Sequence, residues 1–241
     1  MVNYLKLRPN NLASPQFSHL LLLIFWPIYG FFFWLVEAGF TGHGFYDYYT
    51  PIHCGLDDMI PFMEIFVIPY YIWFAFIVLM HIYAGLFDVV AFRQLLWYTM
   101  ITYSVTIVIY LIFPNCQELR PDLDSLGRDN IFVDIARNLY DFDTNTNVCP
   151  SIHVLGSFAV FFPSWNAKHM RSWWCRTIML VLTILISIST VFLKQHSILD
   201  VFAALILCAI VYPIVFWKKS PLSKHIMKRS SYYLEPSVAQ V

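Results

Sequence analysis

Three polar clusters interrupt an otherwise apolar chain: Glu118-Leu119-Arg120-Pro121, Cys149-Pro150-Ser151-Ile152-His153 and Lys194-Gln195-His196-Ser197-Ile198-Leu199-Asp200. His196 and Asp200 stand four residues apart, about one helical turn. The carboxylate can therefore accept a hydrogen bond from one imidazole nitrogen and leave the other free to attack. His153 then offers a proton for a leaving oxygen, a role that contributes about 10²–10⁴-fold in rate. Together these are a nucleophile, an orienter and an acid. Arg120 presents a planar fork suited to phosphate oxygens, and Ser151 after Pro150 marks a helix start whose free N–H groups favour an anion. Lys194 adds a point charge. Plainer readings exist for each: a His–Asp pair at a helix end can be a simple polar contact, and Arg120 and Lys194 can be solvated loop charges. Two histidines and a carboxylate can also bind a metal, but no further ligand completes such a set. The weight lies in the combination.

The elements that position these residues are membrane spans. Of 241 residues, 59% are hydrophobic, 19% aromatic and only 12% charged, whereas soluble domains carry about 25% charged residues. Formal net charge is zero, so no basic field exists to attract nucleic acid, and none is expected as a partner. Six apolar segments are marked, Leu20–Val36, Ile65–Tyr83, Leu95–Phe113, Ile152–Trp165, Trp173–Phe192 and Ser197–Trp217. The fourth is short: its fourteen residues rise only about 21 Å against a hydrocarbon core near 30 Å. It must extend into its polar flanks or end below the surface. The first segment lies behind Lys6 and Arg8 without a small-residue cleavage pattern, which makes it a retained helix. The odd cysteine count argues against a complete disulfide framework, although Cys116 and Cys149 could pair.

With the amino terminus inside, eleven of the fifteen Lys and Arg residues fall on the inner face and four, Arg120, Arg128, Arg137 and Lys194, on the outer. This asymmetry predicts cytoplasmic termini and puts all three polar clusters on the outer face. The fourth and sixth spans both run inward, so His153 and His196 occupy equivalent first-turn positions on parallel helices and can face each other. In the long outer loop, Asn130–Asp141 carries Ile131, Phe132, Ile135 and Leu139 on one face, the pattern of a helix lying on the bilayer. Phe45, Tyr46, Tyr48 and Tyr49 suit an interfacial aromatic belt.

At the clustered residues the sequence resembles the type 2 phosphatidic acid phosphatase superfamily, which includes lipid phosphate phosphatases and the phosphotransferases that make inositol phosphorylceramide and sphingomyelin. Pro150-Ser151-x-His153 matches the family's second motif, with Ile152 where many phosphatases have glycine. In the third motif a serine precedes the histidine by seven residues and an aspartate follows it by four, as Ser189, His196 and Asp200 do here. The resemblance, over about residues 95–217 of one polytopic membrane domain spanning 1–241, implies an all-α bundle of six transmembrane helices. It also implies that His196 forms a phosphohistidine, that Asp200 orients it and that His153 protonates the departing alcohol, with no metal or other cofactor. Phe113 and Thr190 stand where the phosphatases have a lysine and an arginine; Arg128 or Lys194 would have to substitute. The pattern P-S-I-H-x-x-x-S, ending at Ser157, and H-S-x-x-D-V look closer to the inositol-phosphorylceramide-synthase-like branch.

The expectation is thus a plasma-membrane lipid phosphate phosphatase that hydrolyses a lipid phosphate or pyrophosphate at the extracytoplasmic face. Its catalytic residues are His196, His153 and Asp200, and its substrate-binding residues Arg120, Ser151 and Lys194. A headgroup phosphotransferase using an alcohol acceptor is the alternative, because water and an alcohol can attack the same phosphohistidine. A non-catalytic lipid-binding protein on the same fold is a second alternative. A proton-coupled transporter would rest only on Glu64, His81 and Asp200 as ionisable groups near or within spans. The sequence names neither the lipid nor the oligomeric state.

Overall fold

The computed structural model describes residues 2–40 and 49–234 and is almost entirely helical. The first span, Ser18–Glu37, starts as a tight 3-10 run at Ser18–Ile24, relaxes into α1 (Phe25–Trp34) and widens into a π-helical end at Leu35–Phe40. There follow α2 (Gly55–Met59), α3 (Val67–Phe87), α4 (Val89–Ile112), α5 (Ile131–Phe142), α6 (Ile152–Ser164), α7 (Trp173–Phe192), α8 (Ile198–Phe216), α9 (Pro221–Arg229) and α10 (Ser231–Leu234). Two very short strands, β1 (Thr50–Pro51) and β2 (Asn115–Cys116), pair in parallel and join the first interhelical connection to the end of α4.

Among the described residues, five helices are long and apolar enough to cross a membrane: Ser18–Glu37, Glu64–Phe87, Val89–Ile112, Trp173–Phe192 and Ile198–Phe216. The sixth member of the bundle is α6, which keeps to thirteen residues and does not extend into its polar flanks. Its shortness follows from its place. It packs against α3, α4, α7 and α8, so protein rather than lipid covers most of it and the bilayer does not set its length. The span of α4 starts at Val89, earlier than Leu95, because Asp88 caps it by accepting the N–H of Ala91 at 3.0 Å. Arg93, whose charge hides this start in the sequence, is buried and donates to Ser18 Oγ at 3.0 Å.

Four hydroxyls inside the spans donate to the carbonyl four residues back: Thr102 to Tyr98, Ser157 to His153, Thr183 to Met179 and Ser187 to Thr183. No water is needed to satisfy them, which suits helices in hydrocarbon. Opposite the core, Phe74, Leu79 and Ile82 of α3, Ile178 and Ile184 of α7 and Phe202, Ile206 and Ile210 of α8 are exposed. Such an apolar exterior is stable only against lipid.

One expectation is narrowed. The amphipathic helix in the long loop forms, capped by the Asn130 side chain on the N–H groups of Phe132 and Val133. Much of its apolar face is taken by protein, however. Val133, Ala136 and Leu139 are buried against Val67, Tyr70, Leu123 and Leu193, while Ile131 and Phe142 are exposed. The helix caps the start of α3 and the end of α7, where its small and branched side chains pack closely. Cys116 and Cys149 are both free thiols. Phe45, Tyr46 and Tyr48 lie outside the described residues.

Candidate active site

Two chain segments enter the bundle at the same end, and each is held by its own hydrogen-bond clamp. Before α6, Asn115 accepts the N–H groups of Val148 and Cys149 on Oδ1, both at 2.8 Å, and donates from Nδ2 to the carbonyls of Phe113 and Cys149. Tyr110 donates to the Pro150 carbonyl at 2.9 Å, and Ser151 then stands at the N-cap position of the helix without a side-chain capping bond. Before α8, the carbonyl of Thr190 accepts the N–H groups of Gln195 and His196 at 2.9 and 3.1 Å, closing the turn from α7. Ser197 and Asp200 form a reciprocal cap: Asp200 Oδ2 accepts the Ser197 N–H at 3.0 Å and Ser197 Oγ accepts from Leu199 N–H at 3.1 Å.

On these frames the two histidines meet. Their ring centroids lie 5.8 Å apart at 66°. His196 Nδ1 is 3.1 Å from Asp200 Oδ2, so the ring is fixed by the carboxylate that also caps its helix, and Nε2 carries no hydrogen bond among the described residues. His153 lies between Tyr70 and Trp73, each at 4.3 Å between centroids, and neither of its nitrogens has a hydrogen-bond partner among the described residues. Gly156 allows this stacking. A Cβ there would meet Trp73 Nε1 at 2.9 Å and the Tyr103 hydroxyl at 2.6 Å, closer than side-chain contacts allow.

The orphaned polar atoms concentrate here. Ser151 Oγ, both His153 nitrogens, Gln195 Nε2 and Arg120 Nε are buried without a partner among the described residues. Each of these side chains can donate a hydrogen bond, the chemistry an anion needs, and the acceptor Asp200 Oδ1 is likewise unpartnered among the described residues. The Cys149 thiol sits beside Asp200; burial, reinforced by that carboxylate, pushes it up to about 12. It is a neutral neighbour of the pair.

The expected phosphate ligands are placed less simply. Arg120 spans the wall of the site: its terminal nitrogens donate to the carbonyls of Tyr140, Asp143 and Thr144 and to Gln195 Oε1 at 2.6 Å, and its guanidinium lies over the Tyr140 ring. Burial lowers its pKa from the usual arginine value, which leaves it charged at neutral pH. The N–H of Ser151 is taken by the Asp200 carbonyl at 3.2 Å, so only its hydroxyl and the N–H groups after it remain. Lys194 adopts a left-handed backbone, φ 54°, and donates its ammonium to the Asp57 carbonyl at 2.6 Å. Arg128 is bound to Glu64 through two nitrogens and does not join the histidines. Thr190 gives its backbone to the turn and turns its hydroxyl back to Ser187. Ser189 likewise donates to the Ile186 carbonyl.

Two acidic residues matter here that spacing did not single out. Asp57, only 1% exposed, accepts from Ser197 Oγ at 2.6 Å, from the Ile198 N–H at 2.8 Å and from the Cys54 N–H at 2.9 Å. Burial works to raise its carboxyl, but these hydrogen bonds outweigh that and hold it below the ordinary aspartate value. Glu37, at the end of the first span, gathers Thr144, Thr146 and Asn147 of the long loop. Glu64 and His81, by contrast, share no hydrogen bond with Asp200: Glu64 holds Arg128 and Asn130, and His81 accepts from Trp26. Among the described residues no group of three or more His, Cys, Asp or Glu stands close enough to hold a metal ion.

Comparison with known proteins agrees with this geometry at the level of family. No curated protein and no solved structure matches the chain. The model of the PAP2 superfamily matches residues 91–222, more than half of the chain and the part that holds both histidines and Asp200. Five apolar spans and this match together describe a membrane-embedded enzyme of the phosphatase or phosphotransferase kind with phosphate-containing lipids as substrates. The chain belongs to the PAP2 superfamily.

Proposed function

We propose that this protein is a lipid phosphate phosphatase that hydrolyses a lipid phosphate or pyrophosphate through a phosphohistidine, with His196 as nucleophile, Asp200 as its orienting carboxylate and His153 as general acid. The observation that carries the reading is the facing pair: His196, held by Asp200 through Nδ1, beside His153 with both nitrogens unpartnered. In the first step His196 Nε2 forms a bond to phosphorus while the bond to the lipid oxygen breaks, and His153 gives its proton to that oxygen. In the second, His153 takes a proton from water, the oxygen attacks phosphorus and the P–N bond breaks. Asp200 stabilises the positive charge that His196 acquires when phosphorylated, as a carboxylate does behind any catalytic imidazole. Ser151 Oγ, Gln195 Nε2 and Arg120 Nε are the donors available to the phosphate oxygens, and Lys194 contributes field from the same turn. The Lys and Arg asymmetry supports cytoplasmic termini and an extracytoplasmic site.

A second reading, transfer of the phosphoryl-bearing headgroup to an alcohol, is favoured by Phe113 and Thr190 in place of the phosphatase cations and by Ser157 one turn after His153. One experiment separates the readings. Purified protein in micelles with chelator is given a panel of labelled phosphatidate, isoprenyl pyrophosphate and phospholipids, with and without inositol. Free phosphate in both arms supports hydrolysis; label captured on inositol supports transfer. No product from any lipid in either arm would remove the enzymatic reading.

A further inference from the structure

At the end of the bundle opposite the histidines lies a cavity of about 1050 Å³, between the start of α4, the end of α6, the end of α8 and the first turns of α9. We propose that it is a binding site for one anionic phospholipid, distinct from the histidine site and filled from the other leaflet.

The inner wall is aromatic. Phe162 stands 4.7 Å from Tyr212 and 5.7 Å from Phe216, and Tyr212 stacks on Phe216 at 5.1 Å, all between ring centroids. The rim is cationic, with Arg171, Lys218 and Lys224. Neither ammonium has a hydrogen-bond or ion-pair partner among the described residues, and Arg171 spends only its Nε, on the Asn166 carbonyl at 3.2 Å. The acid on the lining, Asp88, is already engaged: its two oxygens accept the N–H groups of Ala91 and Lys168 at 3.0 and 2.9 Å. Three cations therefore face the cavity against a single carboxylate, Asp88, whose two oxygens each already accept a backbone N–H.

Position decides what kind of anion fits. Trp165, Trp173, Trp174 and Trp217 are exposed around the same end, the belt that marks the headgroup level of a bilayer. Tyr212 lines the cavity and is also exposed on the flank of α8, so the aromatic wall continues onto the surface that meets lipid. A soluble phosphate would use the rim and leave the wall bare. A phospholipid uses both, its headgroup phosphate on the cations and the start of its acyl chains on the rings, and basic pockets between helices at this depth suit anionic headgroups.

The test is independent of catalysis and uses the full chain in detergent, with bound lipid counted by native mass spectrometry across titrations of phosphatidylserine and phosphatidylcholine. One phosphatidylserine should bind at least about tenfold more tightly than phosphatidylcholine, and K218Q with K224Q should weaken it about tenfold or more. A control pair, K6Q with K228Q, removes equal charge from the same end outside the cavity and should change binding less than twofold. Should the double variant fail to fold, R171Q reads the same site with a smaller loss. Equal binding of the two lipids, unchanged binding in the cavity variants, or an equal loss in the control pair each overturns the proposal. Because no turnover is measured, loss of the phosphatase reading would leave this result standing.

Discussion

The backbone N–H of Ser151 donates to the carbonyl of Asp200 at 3.2 Å, so the residue that holds His196 through its carboxylate also holds the start of the His153 helix through its main chain. The two histidines are therefore tied to each other through Asp200. Asp200→Asn keeps the backbone bond and the side-chain shape but removes the charge that offsets a phosphorylated imidazole. We expect kcat to fall by about 10²–10⁴-fold, with KM within about threefold of wild type and little change in thermal unfolding. Steady-state kinetics with a unfolding scan would check it. A kcat within a few-fold of wild type would show that Asp200 is only a helix cap.

His153 is assigned a proton for the leaving oxygen, and that need depends on the leaving group. His153→Gln should slow formation of the phosphoprotein from an alkyl phosphate ester, the step in which the leaving oxygen departs, by about 10²–10⁴-fold, yet slow that step much less with a nitrophenyl ester, whose departing oxyanion is stable unprotonated. The same variant should still accumulate acid-labile phosphoprotein from the nitrophenyl ester, because His196 is intact. Equal losses on both substrates would argue that His153 binds phosphate instead of donating a proton.

Much of this site could be read from the chain, for definite reasons. His196 and Asp200 declare themselves by four-residue spacing, and the shared direction of two spans brings His153 opposite. What could not be read is contact without periodicity. Asp57 reaches Ser197 across 140 positions, and nothing in Cys54-Gly55-Leu56-Asp57 points to α8. The face of α5 was visible as a face, but a period of 3.6 cannot say whether lipid or Tyr70 and Val67 will cover it. Arg120 was recognisable as a cation by the site, whereas its use on three carbonyls depends on the path of residues 140–144.

Gly156 is the place where the aromatic cradle of His153 has least slack. Gly156→Ala puts a methyl group 2.6 Å from the Tyr103 hydroxyl, 2.9 Å from Trp73 Nε1 and 3.0 Å from Ile77 Cδ1. Overpacking of this kind typically costs about 1–3 kcal/mol. Trp73 must retreat and take its ring off His153, so activity should fall about tenfold or more. Trp73→Phe in the Gly156→Ala background should restore part of both. Wild-type melting and turnover in Gly156→Ala would show that the contact is looser than it stands here.

Asp57 offers a pH signature that a direct catalytic role would not give. Its carboxylate fixes the N-terminus of α8 through Ser197 and Ile198, and its folded-state pKa is lowered. A lowered acid stabilises the fold fully above its unfolded value, near 3.9 for aspartate, and the contribution is lost as pH falls through the folded value. Asp57→Asn retains one acceptor but loses the charge and a second acceptor. The variant should be less stable by about 1–3 kcal/mol, and kcat should drop about tenfold as His196 loses its fixed turn. The gap in melting temperature between wild type and variant should stay constant from about pH 5 to pH 8 and close below about pH 4. A gap that instead changes between pH 6 and 8 would mean that a histidine, not the Asp57 latch, governs the stability of this end. With a constant gap and unchanged kcat, Asp57 would be a structural tie with no part in positioning His196.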